Sequence, residues 1–251
     1  MTEKATDTGK VSYGRREVTP AEKTRLVQNV FAKVAARYDT MNDIMSLGTH
    51  RLFKPMAVEM TGLAKGDRVL DLAGGTGDMT ALLRPVVGDN GLIILADLNA
   101  DMMRVGRDRL LHSGIADVSY CRVRAESLPF RDQMFNAVTI SFGIRNFTSK
   151  ETALDEICRV LKPGGVLVVL EFSHPDNPLF ADLYRGFQTL WPAFGKRVVG
   201  DEEPYRYLVE SIEKHPRREA LALMFEDAGF SNVTHHPLAG GVAAIHRGVK
   251  P

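Results

Sequence analysis

The sequence predicts an α/β domain of the doubly wound kind, with helices on both faces of a mostly parallel sheet. Short apolar stretches alternate with amphipathic ones between residues 68 and 172. The apolar stretches are continuous hydrophobic runs, which is typical of strands buried on both faces. A glycine-rich turn follows the first strand, so a ligand is expected beyond the carboxyl ends of the strands.

The alternation places the elements in chain order. The predicted strands cover residues 68–73, 92–96, 118–123, 137–142 and 166–172. The helices between them are expected at about 77–86, 100–112 and 150–161. A later helix at about 217–228 leads to two short strands, 232–237 and 242–247, joined across Leu-Ala-Gly-Gly. Because so short a connection joins antiparallel strands, a closing hairpin is expected.

The chain divides into a tail, a lid and a sheet domain. Residues 1–18 are polar and predict a flexible tail. Residues 19–61 predict an N-terminal helical lid, and residues 62–251 predict the sheet domain. An aromatic helical insertion is expected within that domain, at about residues 173–216.

The lid begins with a clear helix signal. Thr19 is the expected N-cap, with Pro20 in the first turn and Glu22 at the third position. Apolar residues then recur at helical spacing, and a second helix is expected at about 50–61. The lid is therefore predicted to contain two helices, one in each half of the segment.

The insertion is rich in aromatic rings. It occupies 44 of 251 positions but holds seven of the nineteen aromatic residues. Five rings recur at spacings of four and three, which predicts one face of a helix: Phe180, Tyr184, Phe187, Trp191 and Phe194. Trp191-Pro192 is expected to end that helix. Such a stripe indicates either core packing or an apolar groove for a ligand.

Composition excludes several classes of protein. Thirty-two basic and thirty-one acidic residues leave a net charge of +1, which argues against nucleic acid as a partner. Cys121 and Cys158 form no CxxC pair, and the seven histidines lack ligand-like spacing, so neither a disulfide scaffold nor a metal site is expected. No apolar run reaches the roughly 18 residues of a membrane span. The sequence thus predicts a cytoplasmic protein whose membrane contact, if any, is peripheral.

The glycine loop is Leu70-Asp-Leu-Ala-Gly-Gly-Thr-Gly-Asp78. A dinucleotide fingerprint starting at Gly75 needs glycine or alanine five residues on, where Thr80 stands. The GK[ST] of a phosphate-binding loop is also missing, and no basic residue lies in the loop. Asp71, inside the strand, suits a cationic amino group better than a pyrophosphate. The loop therefore predicts a cofactor without phosphates.

Two later strand ends support a nucleoside cofactor. Asp97 ends the second strand, where an acid accepts hydrogen bonds from both ribose hydroxyls in nucleotide-binding folds. The segment Arg124-Ala-Glu126-Ser-Leu-Pro-Phe130 follows the third strand and is placed to frame an adenine edge. S-adenosylmethionine satisfies these demands. The alternative is that the glycines serve only the turn and that Asp97 caps a helix.

Four segments carry a family resemblance: Tyr38-Asp-Thr-Met-Asn-Asp-Ile-Met-Ser-Leu-Gly-Thr-His50, Glu126-Ser-Leu-Pro-Phe130, Ser141-Phe-Gly-Ile-Arg-Asn146 and Arg159-Val-Leu-Lys-Pro-Gly-Gly-Val-Leu-Val-Val-Leu-Glu-Phe-Ser173. They resemble the signatures of the ubiquinone/menaquinone biosynthesis C-methyltransferases. The similarity runs from about residue 26 to residue 251. Phe53 stands where the family pattern has tryptophan, and both are large aromatic residues.

The resemblance implies a class I S-adenosylmethionine-dependent methyltransferase. Its fold is Rossmann-like, with a mostly parallel seven-stranded sheet and a C-terminal antiparallel hairpin. The residues that match the cofactor site are Thr76, Asp97, Arg124, Ala125 and Ser141. The physical argument adds the loop residues Asp71, Gly74, Gly75 and Gly77. Arg124 is expected to contribute its backbone.

The implied reaction is methylation of a ring carbon on a polyprenylated quinol: demethylmenaquinol to menaquinol, 2-methoxy-6-polyprenyl-1,4-benzoquinol to its 3-methyl product, or both. Only the reduced ring is electron-rich enough to attack. Arg145 is expected to stabilise the quinol oxyanion and Asn146 to orient the other oxygen, while Tyr38 or His50 relays the phenolic proton. The alternative is that Arg145 pairs with a carboxylate and only braces its loop. Glu171 is a further candidate substrate contact.

The lid segment around the first signature has two interpretations. Tyr38, Asp39, Asn42 and Asp43 are expected to close over cofactor and quinol. The alternative is a helix cap formed by Asn42 and Asp43.

Other functions and partners remain open on sequence alone. One alternative is a class I methyltransferase for another apolar small molecule. Another is a non-catalytic S-adenosylmethionine-binding member of a quinone-synthesis complex. A nicotinamide-dependent oxidoreductase is disfavoured by Thr80. A homodimer and a peripheral contact at the inner face of the membrane are candidate interactions, and the aromatic insertion is the surface that would serve them.

Overall fold

A computed structural model describes residues 9–37, 42–43, 45–46, 48–198 and 200–251. The strands are β1 (Val11–Tyr13), β2 (Arg16–Val18), β3 (Arg68–Leu72), β4 (Leu92–Asp97), β5 (Ser119–Arg122), β6 (Phe135–Ser141), β7 (Leu161–Phe172), β8 (Ser231–Leu238) and β9 (Ala243–Val249). The α-helices are α1 (Pro20–Val34), α2 (His50–Glu59), α3 (Asp78–Val87), α4 (Ala100–His112), α5 (Lys150–Val160), α6 (Pro178–Gln188), α7 (Trp191–Val198), α8 (Glu203–Glu213) and α9 (Arg218–Asp227). Short 3-10 turns cover Ala35–Arg37, Ile144–Asn146 and Ala239–Gly241.

The central sheet has seven strands in the order β5-β4-β3-β6-β7-β9-β8. Strands β3 to β7 pair in parallel, whereas β9 runs antiparallel to both β7 and β8. The predicted mostly parallel sheet with a closing antiparallel hairpin is confirmed. Strand order reverses between β3 and β6, so the carboxyl ends of these two strands flank the crevice in which such sheets bind ligands.

Both faces of the sheet are buried, as the continuous apolar runs predict. Neighbouring residues on β3 belong to different cores: Val69 packs with α2 and α3, and Leu70 packs with α5 and α9. Because side chains alternate across a strand, this division is what burial on both faces requires. Val168 and Val169 repeat the division on β7.

The lid begins as predicted, but a hairpin precedes it. The Thr19 hydroxyl accepts a hydrogen bond from the Glu22 N–H at 3.2 Å, which confirms the N-cap. Strands β1 and β2 pair antiparallel within the segment for which a flexible tail is predicted. The ring of Tyr13 stacks on Tyr207 of α8, with centroids 4.5 Å apart. The sequence does not predict this hairpin, because its strands are short and its main contact lies far along the chain.

The aromatic insertion forms α6, α7 and α8, so the prediction of one helix from Phe180 to Trp191 is wrong. Helix α6 ends at Gln188, and Trp191 begins α7 instead of ending a helix. Pro192 is compatible with this position, because the first turn of a helix does not need its N–H. No helix of the described residues is long and apolar enough to cross a bilayer.

The rings of the insertion divide between core and surface. Trp191 is completely buried against Phe172, Tyr184 and Phe187. Phe180 and Phe194, at the two ends of the series, are 37% and 40% exposed. Trp191 is therefore core packing, Tyr184 and Phe187 are partly buried beside it, and the end rings Phe180 and Phe194 are the most exposed of the series.

Candidate active site

The glycine loop leaves β3 in a conformation that few residues adopt. Gly75 and Gly77 have φ of 52° and 81°, and Ala73 has φ of 56°. A Cβ on Gly74 would lie 2.8 Å from the Leu95 side chain, which explains glycine at that position. Positive φ at alanine is a local strain that the surrounding structure maintains, and such strain clusters at functional sites.

Asp71 lies beneath this loop and is fully buried. Its Oδ2 accepts a hydrogen bond from Thr80 Oγ1 at 2.7 Å, and its Oδ1 accepts one from Thr139 Oγ1 at 3.0 Å. Burial raises the pKa of Asp71 to about 6, and the two hydroxyl groups oppose the shift. A cationic ligand group nearby would favour the ionised carboxylate.

Asp97 is held at the end of β4 by backbone groups. Gly75 N donates to its Oδ2 at 3.0 Å, and Asn99 N donates to its Oδ1 at 2.8 Å. Burial raises the pKa of Asp97, while these hydrogen bonds counteract it. Asn99, not Asp97, caps α4, since its Oδ1 accepts from the N–H groups of Asp101 and Met102. The helix-cap alternative for Asp97 is therefore wrong.

A cavity with a volume of about 1060 Å³ including its open mouth lies over the loop. Eight of the nine residues predicted to bind the cofactor line it: Asp71, Gly74, Gly75, Thr76, Asp97, Arg124, Ala125 and Ser141. Gly77 lies behind the lining as the residue before α3. The Arg124 side chain is 45% exposed, which agrees with a backbone contribution.

Helix α1 forms one wall of the cavity through Thr24, Val27, Gln28 and Phe31. Asn99 Nδ2 donates to the backbone oxygen of Gln28 at 2.9 Å and so ties this helix to the cofactor side. The lid prediction is consistent with this placement. Asn42, from the first signature, also lines the cavity.

A buried lysine attaches α1 to a second side of the cavity. Lys23 Nζ donates to the backbone oxygen of Phe147 at 2.7 Å, on the opposite side of the cavity. Burial, and next the charge of Lys150, lower the pKa of Lys23 to about 8, while Glu126 opposes the shift. Helix α1 is therefore attached to both rims of the cavity.

Lys54 is a cavity residue that the sequence motifs do not predict. It comes from α2, and its Nζ pairs with Asp78 Oδ2 at 2.5 Å. Asp78 also pairs with Arg109. The only sequence signal was its place just after the first signature. Although Lys54 brings a cation to the glycine loop, its pair with Asp78 neutralises that charge, so the site still favours a cofactor without phosphates.

The two residues predicted to act on the substrate are placed differently. Of the described residues, the cavity lining includes Asn146 but not Arg145. Arg145 Nη1 donates to Glu171 Oε1 at 2.8 Å, and the two side chains are 3% and 1% exposed. This geometry matches the alternative in which Arg145 pairs with a carboxylate and braces its loop. A catalytic role for Arg145 stays a prediction. The Glu171 carboxylate, a candidate substrate contact, is already bound by Arg145.

The structure describes only some of the residues predicted to relay the phenolic proton. Tyr38 and Asp39 lie outside the described residues. His50 Nε2 donates to Asp43 Oδ1 at 2.9 Å, and Arg51 donates to both oxygens of Asp43. Burial lowers the pKa of His50, and the hydrogen bond to Asp43 opposes the shift. No group of three or more potential metal-binding side chains occurs within the described ranges.

This arrangement defines a class of protein. A glycine loop after the first parallel strand and an acid at the end of the second, both on one cavity, are typical of nucleoside-binding α/β enzymes. The profile of the ubiE/COQ5 methyltransferase family matches residues 16–250. The chain belongs to the ubiE/COQ5 methyltransferase family.

Curated relatives support this assignment across nearly the whole chain. The ubiquinone/menaquinone biosynthesis C-methyltransferase UbiE of Ectopseudomonas mendocina (strain ymp) is 50% identical over 241 residues, which cover 95% of this chain and 94% of that protein. The protein of the same name from Pseudomonas syringae pv. tomato is 51% identical with the same coverage.

Solved structures share the fold at low sequence identity. A SAM-dependent methyltransferase from Aquifex aeolicus is 17% identical with a TM-score of 0.58, covering 93% of this chain and 100% of its own. The [4+2]-cyclase SpnF is also 17% identical with a TM-score of 0.58, covering 91% of this chain and 96% of its own. Since one of the two is a cyclase, these similarities establish the fold and not the reaction.

The residues present fit S-adenosylmethionine. The Ser141 hydroxyl is buried on the cavity side and has no hydrogen-bond partner in the part of the chain that the structure describes. A buried polar atom without a partner is costly, so a ligand that pairs with it is favoured. Two carboxylates, Asp71 and Asp97, line the same cavity and suit an amino group and ribose hydroxyls.

Proposed function

We propose that this protein transfers a methyl group from S-adenosylmethionine to a ring carbon of a polyprenylated quinol, in ubiquinone biosynthesis, menaquinone biosynthesis or both. The observation that carries the proposal is the 50% identity to a C-methyltransferase of that name over 95% of the chain. The cavity supports it, since its carboxylates and Ser141 match a nucleoside sulfonium without phosphates.

Bound S-adenosylmethionine supplies a methyl group on a positively charged sulfur. Asp97 would accept hydrogen bonds from the ribose hydroxyls, and Asp71 would face the amino group. Ser141, at the end of β6, directs its hydroxyl to the cavity. Helix α1 excludes water from the reacting groups, because it is attached to both rims of the cavity.

The acceptor must be the reduced quinol, because an oxidised quinone ring is too electron-poor to attack. One proton would leave a quinol oxygen, and the ring carbon would take the methyl group in line, with the electron pair of the broken S–CH3 bond staying on sulfur as S-adenosylhomocysteine leaves. Loss of the proton on that carbon would restore the aromatic ring, and the quinol oxygen would take up a proton again. Asn146 is a polar residue of the cavity lining that follows β6, and its side-chain amide can hydrogen-bond a quinol oxygen. Arg145 is paired with Glu171, so its part in this proposal is to hold the turn that carries Asn146.

The prenyl tail requires an apolar surface, and the insertion offers one. Leu179, Leu183 and Leu190 are 80%, 70% and 51% exposed. Between Pro178 and Val198 the chain has three basic residues and one acidic residue. Exposed leucines beside net positive charge match the surface of an anionic membrane. We place α6 and α7 against the inner face of the membrane, as a peripheral contact through which the quinol enters.

The test is transfer of labelled methyl from S-adenosylmethionine to a short-chain demethylmenaquinol and to a 2-methoxy-benzoquinol, each tested reduced and oxidised. Transfer to reduced forms only is expected, and the two acceptors report the ring preference. Asp97→Ala is the matched control that should abolish transfer through the cofactor. Cofactor binding without transfer to any quinol would contradict the proposal and favour another acceptor or the non-catalytic role.

A further inference from the structure

Tyr207 lies on α8, outside the residues that line the cavity, yet its hydroxyl reaches one of them. Tyr207 Oη donates to Asn146 Oδ1 at 2.9 Å. Asn146 ends the 3-10 turn that follows β6, and its backbone N–H donates to Gly143 at 3.0 Å. The side chain of Asn146 therefore has one partner behind the cavity and one face towards it.

The direction of this hydrogen bond follows from the protonation of the phenol. Tyr207 is 5% exposed, and burial raises its pKa, so its hydroxyl keeps the proton and donates it. The charged and titratable groups that face it are Arg145, Tyr13 and Glu171. Because the amide oxygen of Asn146 is used by this bond, the amide nitrogen is the group that remains for the cavity.

The hairpin holds Tyr207 in place. The Tyr13 ring stacks on it at an interplanar angle of 18°, and Val18 and Val30 pack around the pair. The turn of the hairpin is fixed to the same helix, since Arg15 N donates to Glu210 Oε2 at 3.1 Å. These contacts hold the Tyr207 ring where its hydroxyl reaches Asn146.

We propose that Tyr207 is a positioning residue for methyl transfer, which orients Asn146 so that its amide N–H groups donate to a quinol oxygen. A donor at that oxygen stabilises the phenolate from which the ring carbon attacks. The inference rests on the proposed function. It also gives the N-terminal hairpin a role, because the hairpin fixes the tyrosine that fixes the amide.

Tyr207→Phe keeps the ring and removes only the hydroxyl. The expected result is a fall of about tenfold in kcat for methyl transfer to a short-chain reduced quinol, against about a hundredfold for Asn146→Ala. The acid limb of the kcat profile should move to higher pH, because the phenolate is less stabilised. Binding of S-adenosylmethionine, measured by calorimetry, should stay within twofold of wild type.

Tyr205→Phe is the matched control. Tyr205 is a fully buried tyrosine on the same helix whose hydroxyl has no hydrogen-bond partner among the described residues. The kcat of the Tyr205→Phe variant should equal that of the wild type. Adding Tyr207→Phe to Asn146→Ala should cause no further loss, since the hydroxyl acts only through the amide.

The outcomes separate the two claims. If the wild type transfers no methyl to any reduced quinol, the proposed function fails and the positioning role fails with it. If the wild type is active, a Tyr207→Phe variant with unchanged kcat and pH profile overturns the positioning role alone. A full additional loss in the Asn146→Ala background overturns it too, because that result means a general structural role.

Discussion

Arg145 and Glu171 form a buried ion pair, with Nη1 and Oε1 2.8 Å apart and both side chains almost inaccessible to solvent. Glu171 also accepts hydrogen bonds from the N–H groups of Phe172 and of Arg145 itself. The pair joins β7 to the turn that carries Asn146. The turn is therefore positioned by a charge interaction that water cannot replace.

Removal of one member of this pair should be costly. Glu171→Ala leaves the Arg145 charge buried without its partner, and a loss of about 3–5 kcal/mol in the free energy of unfolding is expected. Urea denaturation measures it. The matched control is Glu213→Ala, which removes an exposed pair with Arg15 and should cost at most about 1 kcal/mol. Similar losses in the two variants would contradict the buried character of the pair.

The titration of Asp71 should appear in the pH dependence of stability. The unfolded chain gives up this proton near 3.8, whereas the folded protein keeps it until a pKa of about 6. The free energy of unfolding should therefore fall as pH rises from about 4 to about 6, by about 3 kcal/mol from this group. Asp71→Asn should lack that contribution. Identical slopes for wild type and variant in urea titrations would show that Asp71 has an ordinary pKa.

The same titration should control cofactor affinity. If Asp71 faces the cationic amino group of S-adenosylmethionine, the complex requires the ionised carboxylate. Calorimetric affinity should rise as pH increases through about 6, the pKa of Asp71 without ligand. Asp71→Asn should bind more weakly and without this rise. A variant that retains the wild-type pH profile would place the amino group elsewhere.

Gly106 should be as important to cofactor binding as the glycines of the loop. A Cβ at Gly106 would lie 2.7 Å from the backbone oxygen of Gly75, so Gly106→Ala must displace the loop. A loss of at least about tenfold in affinity for S-adenosylmethionine is expected. Gly186→Ala on α6 is the control, since nothing lies within 4 Å of its added Cβ. Wild-type affinity in Gly106→Ala would show that the loop tolerates the shift.

Membrane contact should depend on the exposed leucines of α6. Leu183→Asp should weaken binding to vesicles containing anionic phospholipid by roughly tenfold or more, since burial of a leucine contributes about 1.5–3 kcal/mol. Leu223→Asp on α9 is the control, because Leu223 is 59% exposed on another helix. Sedimentation assays with each variant measure the difference.

A second copy of this chain as the occupant of that surface would give a different result. If Leu183→Asp converts a dimer to a monomer while the wild type ignores vesicles, the surface is an interface between two copies of this chain. Retained vesicle binding by Leu183→Asp would contradict the membrane contact at α6.

Local sequence signals were sufficient to predict the strands of the sheet and most of the residues expected to bind the cofactor. Continuous apolar runs placed the strands within one or two residues, apart from an early start of β7. The glycine loop and the acids at Asp71 and Asp97 were visible because each lies at a strand end, where its position in the fold follows from its position in the chain. Thr19 was equally local, since an N-cap bonds within three residues.

Features that depend on distant contacts were missed. The hairpin is stabilised by Tyr13 against Tyr207, and the position of Lys54 is set by Asp78. The partner of Arg145 depended on how β7 sits beside β6, which sequence periodicity does not specify. The break between α6 and α7 has no glycine, and Pro192 indicated an end although it lies in a first turn.

Strand β9 comes after the other described strands in the chain but lies between β7 and β8 in the sheet. While a ribosome is still adding residues 243–249, β7 therefore has an open edge and β8 has no strand to pair with. Unpaired edges are templates for pairing with other chains. The nascent protein remains prone to aggregation until this strand is inserted, and its insertion pairs the open edge of β7 and gives β8 its partner at the same time.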